Sequence, residues 1–525
     1  MNIEITEENV LLTNKHLLIC LDEDLQYLRA NYPIKSKNYK NYKTHKNNNE
    51  LYMKYCEYMK LNFCGNIITN LSELTDINKY LNFKNNDKTN NANKTNKTIY
   101  ICGNTDKVIK FIINNNNSNI NICDNSDNSD CFYDISIIKD LSYGDQIDLI
   151  TDRYQARIIS IGEVPINLYN LGIFIPKCFD DSNRNYFDEI SNSHTFQNMS
   201  ETNKPSFAFR KGIYITNITN EQTTNTISNT TINNSPVYFN LLRCSSNYSG
   251  PSDNIREVDR EIMMKVNNIS RNYYRDDVEL NHTLAQIYKN STIYPSLLKY
   301  IMYYINICCL FLFNKQLFNI TQNIDPIHRK AKISPHSDKT KDMPRNATLV
   351  FNSFYDNYYN GKFNYKDNDR KDIINSNRDL FDYTYKNNSV LPKLRFRLKK
   401  VVENSNKNLV KSFDIILYPN SSFIIPLSTN RLYTHEIITP VLPSNKIPTR
   451  MGYVMRCSKT KAVHKNNKTY IIEDNNVEKE LLRCDDNEMQ KIKNLYLNEN
   501  MTIDLINYDN IYTSMNNGDY MKPTI

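Results

Sequence analysis

His336 and Asp338 stand two residues apart in KISPHSDKTKD, and they form the only such pair among the eight histidines (His16, His45, His194, His282, His328, His336, His435 and His464). In an extended segment, side chains at i and i+2 share one face, so an imidazole and a carboxylate can aim at one ion. A third ligand from a distant strand would complete a facial set of two histidines and one carboxylate, which suits non-haem Fe(II) and leaves positions open on the metal. H-x-D alone is weak; its plain alternative is a loop histidine beside a solvated aspartate. The order of residues downstream strengthens it. His435 comes 99 residues later in NRLYTHEI, Arg450 another 15 on, and Arg456 six beyond that. Arg450 and Arg456, an even number apart, share a strand face at roughly 20 Å from each other. Long side chains from those points could bracket a small dicarboxylate, because a planar guanidinium makes two parallel charge-assisted bonds to a carboxylate. For each arginine singly, a surface ion pair is the alternative.

Taken together, KISPHSDKTKD, NRLYTHEI and Arg450-x5-Arg456 resemble the AlkB-type branch of the 2-oxoglutarate- and Fe(II)-dependent dioxygenases. The resemblance implies a double-stranded β-helix, a jelly roll with the metal at its open end. It implies iron on His336, Asp338 and His435, Arg450 on the distal carboxylate of 2-oxoglutarate, Arg456 near the metal, and Arg431 supporting the approach to His435. The family's N-x-Y before the H-x-D is similar to NHTLAQIYKN (Asn281–Asn290), with Gln286 replacing the Asn and Tyr288 keeping the Tyr. Both would touch the co-substrate; one face of an amphipathic helix is the other reading.

The activity so implied uses Fe(II), 2-oxoglutarate and O2 to oxidise a C–H bond, by hydroxylation or oxidative demethylation, with release of succinate and CO2. An N-methylated nucleic-acid base is one substrate class. A protein or small molecule is another, and a non-catalytic jelly-roll binding protein is the remaining alternative. The match runs from about Val237 to Val463 and departs at the substrate positions. Thr340 stands where an acidic residue often contacts the base, and Gly452 where Asn is frequent. The chain has no Trp, so stacking on a base would fall to Tyr or Phe, with Tyr273, Tyr274 and Tyr355 as candidates. The charged run Lys339–Asn346 either lines the mouth of the site or is a solvated turn.

The elements that must carry these residues read as mainly β with flanking helices, an α+β chain. Alternation at Ile147 and Leu149, isoleucine-rich runs at Ile158–Ile161 and Leu171–Ile175, then Val237–Leu242, Thr348–Phe354, Leu394–Leu398, Phe413–Leu417 and Gly452–Cys457, predict short strands. Phe423, Ile425 and Leu427 alternate as a half-buried strand does. Ser252 or Asp253 caps a predicted helix with apolar positions at Ile255, Val258, Ile262 and Val266, continuing or restarting toward Val278–Tyr288. Many short strands with polar connections fit a sandwich or jelly roll.

The chain divides into three regions: 1–134, a variable stretch of helical fragments (Asp22–Asn31, Leu51–Leu61) between polar tracts; 135–475, the dioxygenase region; and 476–525, a helical tail. Asn-rich tracts bury too little to offset the entropy of ordering and are expected to be disordered. Insertions are expected at about 216–234, 291–330 and 357–393. The second contains Tyr294–Phe313, long enough for a helix across a bilayer at ~1.5 Å per residue. A buried helix and an insertion are the alternatives. Insertion is preferred, because a span between two halves of one site would have to let them meet within a few ångströms.

The chain of 525 residues has 65 basic and 57 acidic side chains, for a formal charge of +8. That permits a nucleic-acid partner without requiring one. The 12 cysteines include no C-x-x-C pair, which argues against a zinc ribbon or finger. No signal-peptide apolar stretch opens the sequence. A reducing compartment, cytoplasmic or nuclear, is expected, with no obligate protein partner evident and membrane association disfavoured.

Overall fold

The computed structural model describes residues 161–525 apart from 180–183, 201–209, 221–234, 275–277, 294–326, 404–408 and 509–510, together with short pieces before 161. Those pieces form a sheet of their own. Strands Asn66–Ile68, Leu17–Cys20, Lys97–Cys102 and Tyr154–Ile158 lie parallel in that order, and Gln146–Ile147 closes the edge antiparallel. The first sheet therefore crosses the expected boundary at 134. The helices expected at Asp22–Asn31 and Leu51–Leu61 lie outside the described residues, as does Tyr294–Phe313. Among the described residues, no helix is long and apolar enough to cross a membrane.

The rest is mainly antiparallel β. We number the elements that build the site: β1 (Gly172–Ile175), β2 (Arg210–Thr216), α1 (Glu257–Tyr273), β3 (His282–Tyr288), β4 (Ile333–His336), β5 (Thr348–Tyr355), β6 (Lys393–Leu398), β7 (Ser412–Ile416), β8 (Ser421–Pro426), β9 (Tyr433–Ile438), β10 (Arg450–Arg456) and α2 (Asp486–Met501). A ten-stranded sheet contains the run β2-β3-β10-β5-β8-β1, extended by shorter strands at both edges. A four-stranded sheet has the order β4-β9-β6-β7.

Side-chain alternation shows how the layers stack. On one face of the large sheet Leu284, Leu349, Phe351, Phe423 and Ile425 join Leu394, Phe396 and Phe413 of the small sheet in one core. The intervening residues Ala285, Val350, Ile424, Met451 and Tyr453 join Val258, Ile262 and Val266 of α1 in a second core. Ring contacts cross the first layer, Phe351 to Phe396 at 6.3 Å and Phe396 to Phe423 at 5.6 Å between centroids. The large sheet is thus covered on both faces, so β8 is buried at every position. Alternation read it as half-buried because Phe423 and Ile425 stood out, while Ile424 looked spare.

Several further expectations change. The helix before β3 starts at Glu257, where the Asp259 carboxylate accepts the Arg256 backbone N–H at 2.8 Å. Ser252 and Asp253 do not cap it; Asp253 is committed to a short strand and to His194. The stretch to Tyr288 is strand, not helix. Residues 357–393 are not a disordered insertion. They fold into small hairpins with Leu380, Phe381 and Tyr383 in the main core. At 291–330 the two ends pair as antiparallel strands, Ser291–Ile293 with Ile327–Arg329, so the chain leaves and re-enters at one point. Thr216 ends one strand and Ile218–Asn220 forms another, while most of the tract expected at 216–234 lies outside the described residues. The segment 476–525 carries a helix, as expected of it, and that helix, α2, packs against the chain that carries Asp338.

Candidate metal centre

β4 and β9 pair with His336 directly opposite His435, a register that brings two imidazoles side by side, their planes tilted by 52°. Their ring centroids are 4.4 Å apart. Asp338, just past the end of β4, completes the group. Its Oδ1 lies 3.6 Å from His336 Nε2 and 3.7 Å from His435 Nε2. One ligand atom from each of the three falls within 4.8 Å of the others. Two imidazole nitrogens and one carboxylate oxygen around an open side form a donor set suited to a divalent transition metal.

Each ligand is fixed by a neighbour. His336 Nδ1 bonds the Ser334 carbonyl oxygen at 2.9 Å, which places a proton on Nδ1 and leaves the Nε2 lone pair free. His435 is wedged against Phe351 and Phe396, at 5.1 and 5.6 Å between ring centroids. Burial, helped by the nearby His336, pushes its pKa down to about 3, so the ring is neutral as a ligand must be. Burial alone would raise the Asp338 carboxyl. The Arg456 guanidinium outweighs it and holds the group well below the ordinary carboxylate range.

Arg456 binds the other carboxylate oxygen: Nε lies 2.9 Å and Nη2 2.8 Å from Asp338 Oδ2. Its first task is therefore to hold Asp338, rather than to take one end of a dicarboxylate. Its Nη1 is buried and has no hydrogen-bond partner, as is Asn352 Oδ1. Both residues line the cavity beside the three ligands, a space of about 90 Å³, several times what one water needs.

The far end of that cavity holds Arg450, Tyr288 and Gln286. The Arg450 guanidinium lies 4.4 Å from the Tyr288 ring centroid and donates to Ser353 Oγ at 3.2 Å. Tyr288 donates to Gln286 Oε1 at 2.9 Å, and Gln286 Nε2 donates to Tyr248 Oη at 2.6 Å. Every residue expected to hold metal or co-substrate thus meets in one cavity: His336, Asp338, His435, Arg450, Arg456, Tyr288 and Gln286.

The expected substrate residues do not join them. Tyr273, Tyr274 and Tyr355 are core side chains, with 3 % exposure or less. Tyr274 and Tyr355 also donate to the carbonyls of Ile424 and Leu417. Thr340 donates through both backbone N–H and hydroxyl to Glu499 of α2. Of the run from Lys339, Lys339 itself lines the cavity, while the residues after it turn away toward α2 and Arg243. Lys339 bonds the Tyr496 carbonyl and Asn500 Oδ1, and Asp342 forms a buried ion pair with Arg243 at 2.6 Å.

Other residues that shape the site carried no signal in the sequence. Asn430 clamps the backbone of Asp338 from both sides, accepting its N–H at 2.9 Å and donating to its carbonyl at 2.9 Å. Asn500 accepts the Ser337 N–H at 2.9 Å. In a chain this rich in asparagine, neither stands out. Asn430 lies beside Arg431 in the segment leading to His435, and only that proximity could have pointed to it. Neither a protein-family model nor a curated protein matches the chain.

Proposed function

We propose that this chain is an Fe(II)- and 2-oxoglutarate-dependent dioxygenase of AlkB-like type on a double-stranded β-helix. The observation that carries the reading is the meeting of two Nε2 atoms and one carboxylate oxygen from β4 and β9 at one end of a cavity whose other end is Arg450. Antiparallel sheets packed face to face, with the ligands on the smaller, agree with the jelly roll expected from the resemblance.

His336, Asp338 and His435 would hold the iron, and Arg450 the distal carboxylate of 2-oxoglutarate beside Tyr288. Iron and co-substrate supply, when bound, the oxidation of a C–H bond with release of succinate and CO2. The protein's own part is positional. Arg456 keeps Asp338 ionised and oriented, the Ser334 carbonyl sets the His336 tautomer, and Phe351 with Phe396 orients His435 and excludes water. Gln286 and Tyr248 hold the Tyr288 hydroxyl.

Of the substrate classes, the nucleic-acid base loses the three tyrosines first assigned to it, because they are core; Thr340, standing where the family often has an acidic residue, is bonded to Glu499. The test is succinate release in the presence of Fe(II), first without added substrate and then across methylated nucleic acids and peptides. Release that His336→Ala abolishes, with one class accelerating it, supports the reading. Iron bound without any succinate formed contradicts it.

A further inference from the structure

Three neighbouring strands set Arg210, Tyr288 and Arg450 in a row. Tyr288 pairs with Arg450 of β10 on one side and with Arg210 of β2 on the other. Directly paired residues leave the same face of a sheet, and all three line the cavity. Two strand spacings of ~4.8 Å put the two arginine Cα atoms about 10 Å apart, a span that two long side chains can close from either side.

The next row inward is Gly212, Gln286 and Gly452. A Cβ on Gly452 would come within 3.1 Å of Arg450 Nη1 and of the Tyr288 ring. The guanidinium thus occupies room left by the missing side chain. A Cβ on Gly212 would overlap Tyr248, which binds Gln286. These two glycines let Arg450 with Tyr288 on one side, and Tyr248 on the other, close in beside Gln286.

Charge completes the picture. Asp338 is the one acidic residue lining the cavity among the described residues, and it belongs to the metal end with Arg456. Arg450 has a hydroxyl and an aromatic face as partners but no carboxylate. Arg210 has no ion pair among the described residues. Two guanidiniums without a protein anion between them form a site for a carboxylate or phosphate oxyanion.

We propose that Arg210 is the second arm of an anion clamp: with Arg450 it binds the far carboxylate of the dicarboxylate ligand, across the Tyr288 ring. This deepens the function proposed above and rests on it. The pair demands a ligand whose end remote from the metal is anionic, and it discriminates against a 2-oxo acid that ends in a methyl group.

Calorimetric titration of the full chain loaded with Mn(II) tests this with two ligands, 2-oxoglutarate and 2-oxobutyrate, which differ in the far carboxylate. Arg210→Ala is expected to weaken 2-oxoglutarate at least 10-fold and 2-oxobutyrate less than 2-fold, with Mn(II) affinity unchanged. Arg210→Lys should recover part of the loss, since it restores the charge without the fork. Equal weakening of both ligands, or of neither, overturns the assignment. If wild-type protein binds Mn(II) but not 2-oxoglutarate, the proposed function fails, and the clamp is judged with inorganic phosphate. Phosphate bound by wild type and lost in both Arg210→Ala and Arg450→Ala sustains the clamp; any other phosphate result discards it.

Discussion

Asp338 divides its carboxylate between two tasks: Oδ1 faces the imidazoles of His336 and His435, while Oδ2 is bound twice by Arg456, at 2.9 and 2.8 Å. A buried ligand carboxylate needs a counter-charge even before metal arrives, and Arg456 provides it from the opposite sheet. Removing one partner of a buried pair strands the other, at a cost of about 3–5 kcal/mol. Arg456→Met is therefore expected to lower stability by about that amount and to weaken Mn(II) binding at least 10-fold. Chemical unfolding and metal titration check this; a variant with wild-type stability and affinity would show that the pair is incidental.

Asn430 should act on the metal without touching it. It holds the Asp338 N–H and carbonyl together, and loss of an outer partner of a metal ligand typically costs 10–100-fold in affinity. Asn430→Ala should lose Mn(II) affinity in that range while far-ultraviolet circular dichroism stays that of the folded protein. Unchanged affinity would mean that the strand pairing alone positions Asp338.

Helix α2 makes the same case from 160 residues away. Asn500 accepts from the Ser337 N–H and Lys339 Nζ, and Glu499 accepts from the Thr340 N–H. Glu499→Ala leaves partly buried donors without their acceptor, so a loss of about 1 kcal/mol is expected. Asn500→Ala should weaken metal binding about 10-fold. Thermal unfolding with and without Mn(II) separates the two effects; no change in either reading contradicts the docking of α2 onto the metal strand.

On the other side of the large sheet, His194 lies between two carboxylates, Nδ1 2.8 Å from Asp253 and Nε2 2.8 Å from Asp259. Asp259 also accepts from Tyr453 of β10 at 2.7 Å. Burial works against the imidazolium, but the two aspartates more than offset it and raise its pKa to about 9. A folded-state pKa above the unfolded ~6.5 gives stability that is full below pH 6.5 and is lost as pH rises through 9. The size is on the order of 3 kcal/mol. Burial also raises Asp253, yet His194, the Asn254 N–H and Arg256 bring it below its ordinary value. Its contribution is present above about pH 3.9 and fades as pH falls through the lower folded value. Urea unfolding from pH 6 to 9.5 should show stability falling across that interval, and His194→Gln should flatten the fall. A wild-type profile that is flat to pH 9.5 would contradict a charged His194.

How much of this could be read from the chain alone depended on whether residue type carried the message. His336 and Asp338 were legible because their spacing matches the pitch of a strand and no other histidine shares it. Arg450, Arg456 and Tyr288 were legible through order and type. Asn430, Asn500 and Arg210 were not, since their roles come from pairing across elements distant in sequence, and asparagine is everywhere. The helix expected toward Tyr288 became a strand because β2 and β10 pair with it on both sides, a tertiary choice that local periodicity does not contain. Residues 357–393 looked like solvated loop from their polar average, yet a few residues such as Phe381 and Tyr383 anchor them in the core.

The location of the metal tests the account most directly. Crystals grown with Mn(II) and 2-oxoglutarate and measured for anomalous scattering should show one strong peak at about 2.0–2.3 Å from His336 Nε2, His435 Nε2 and Asp338 Oδ1. The far carboxylate of the ligand should lie against Arg450. A peak bound by other residues, or no peak at a metal concentration that saturates the protein in solution, would contradict it.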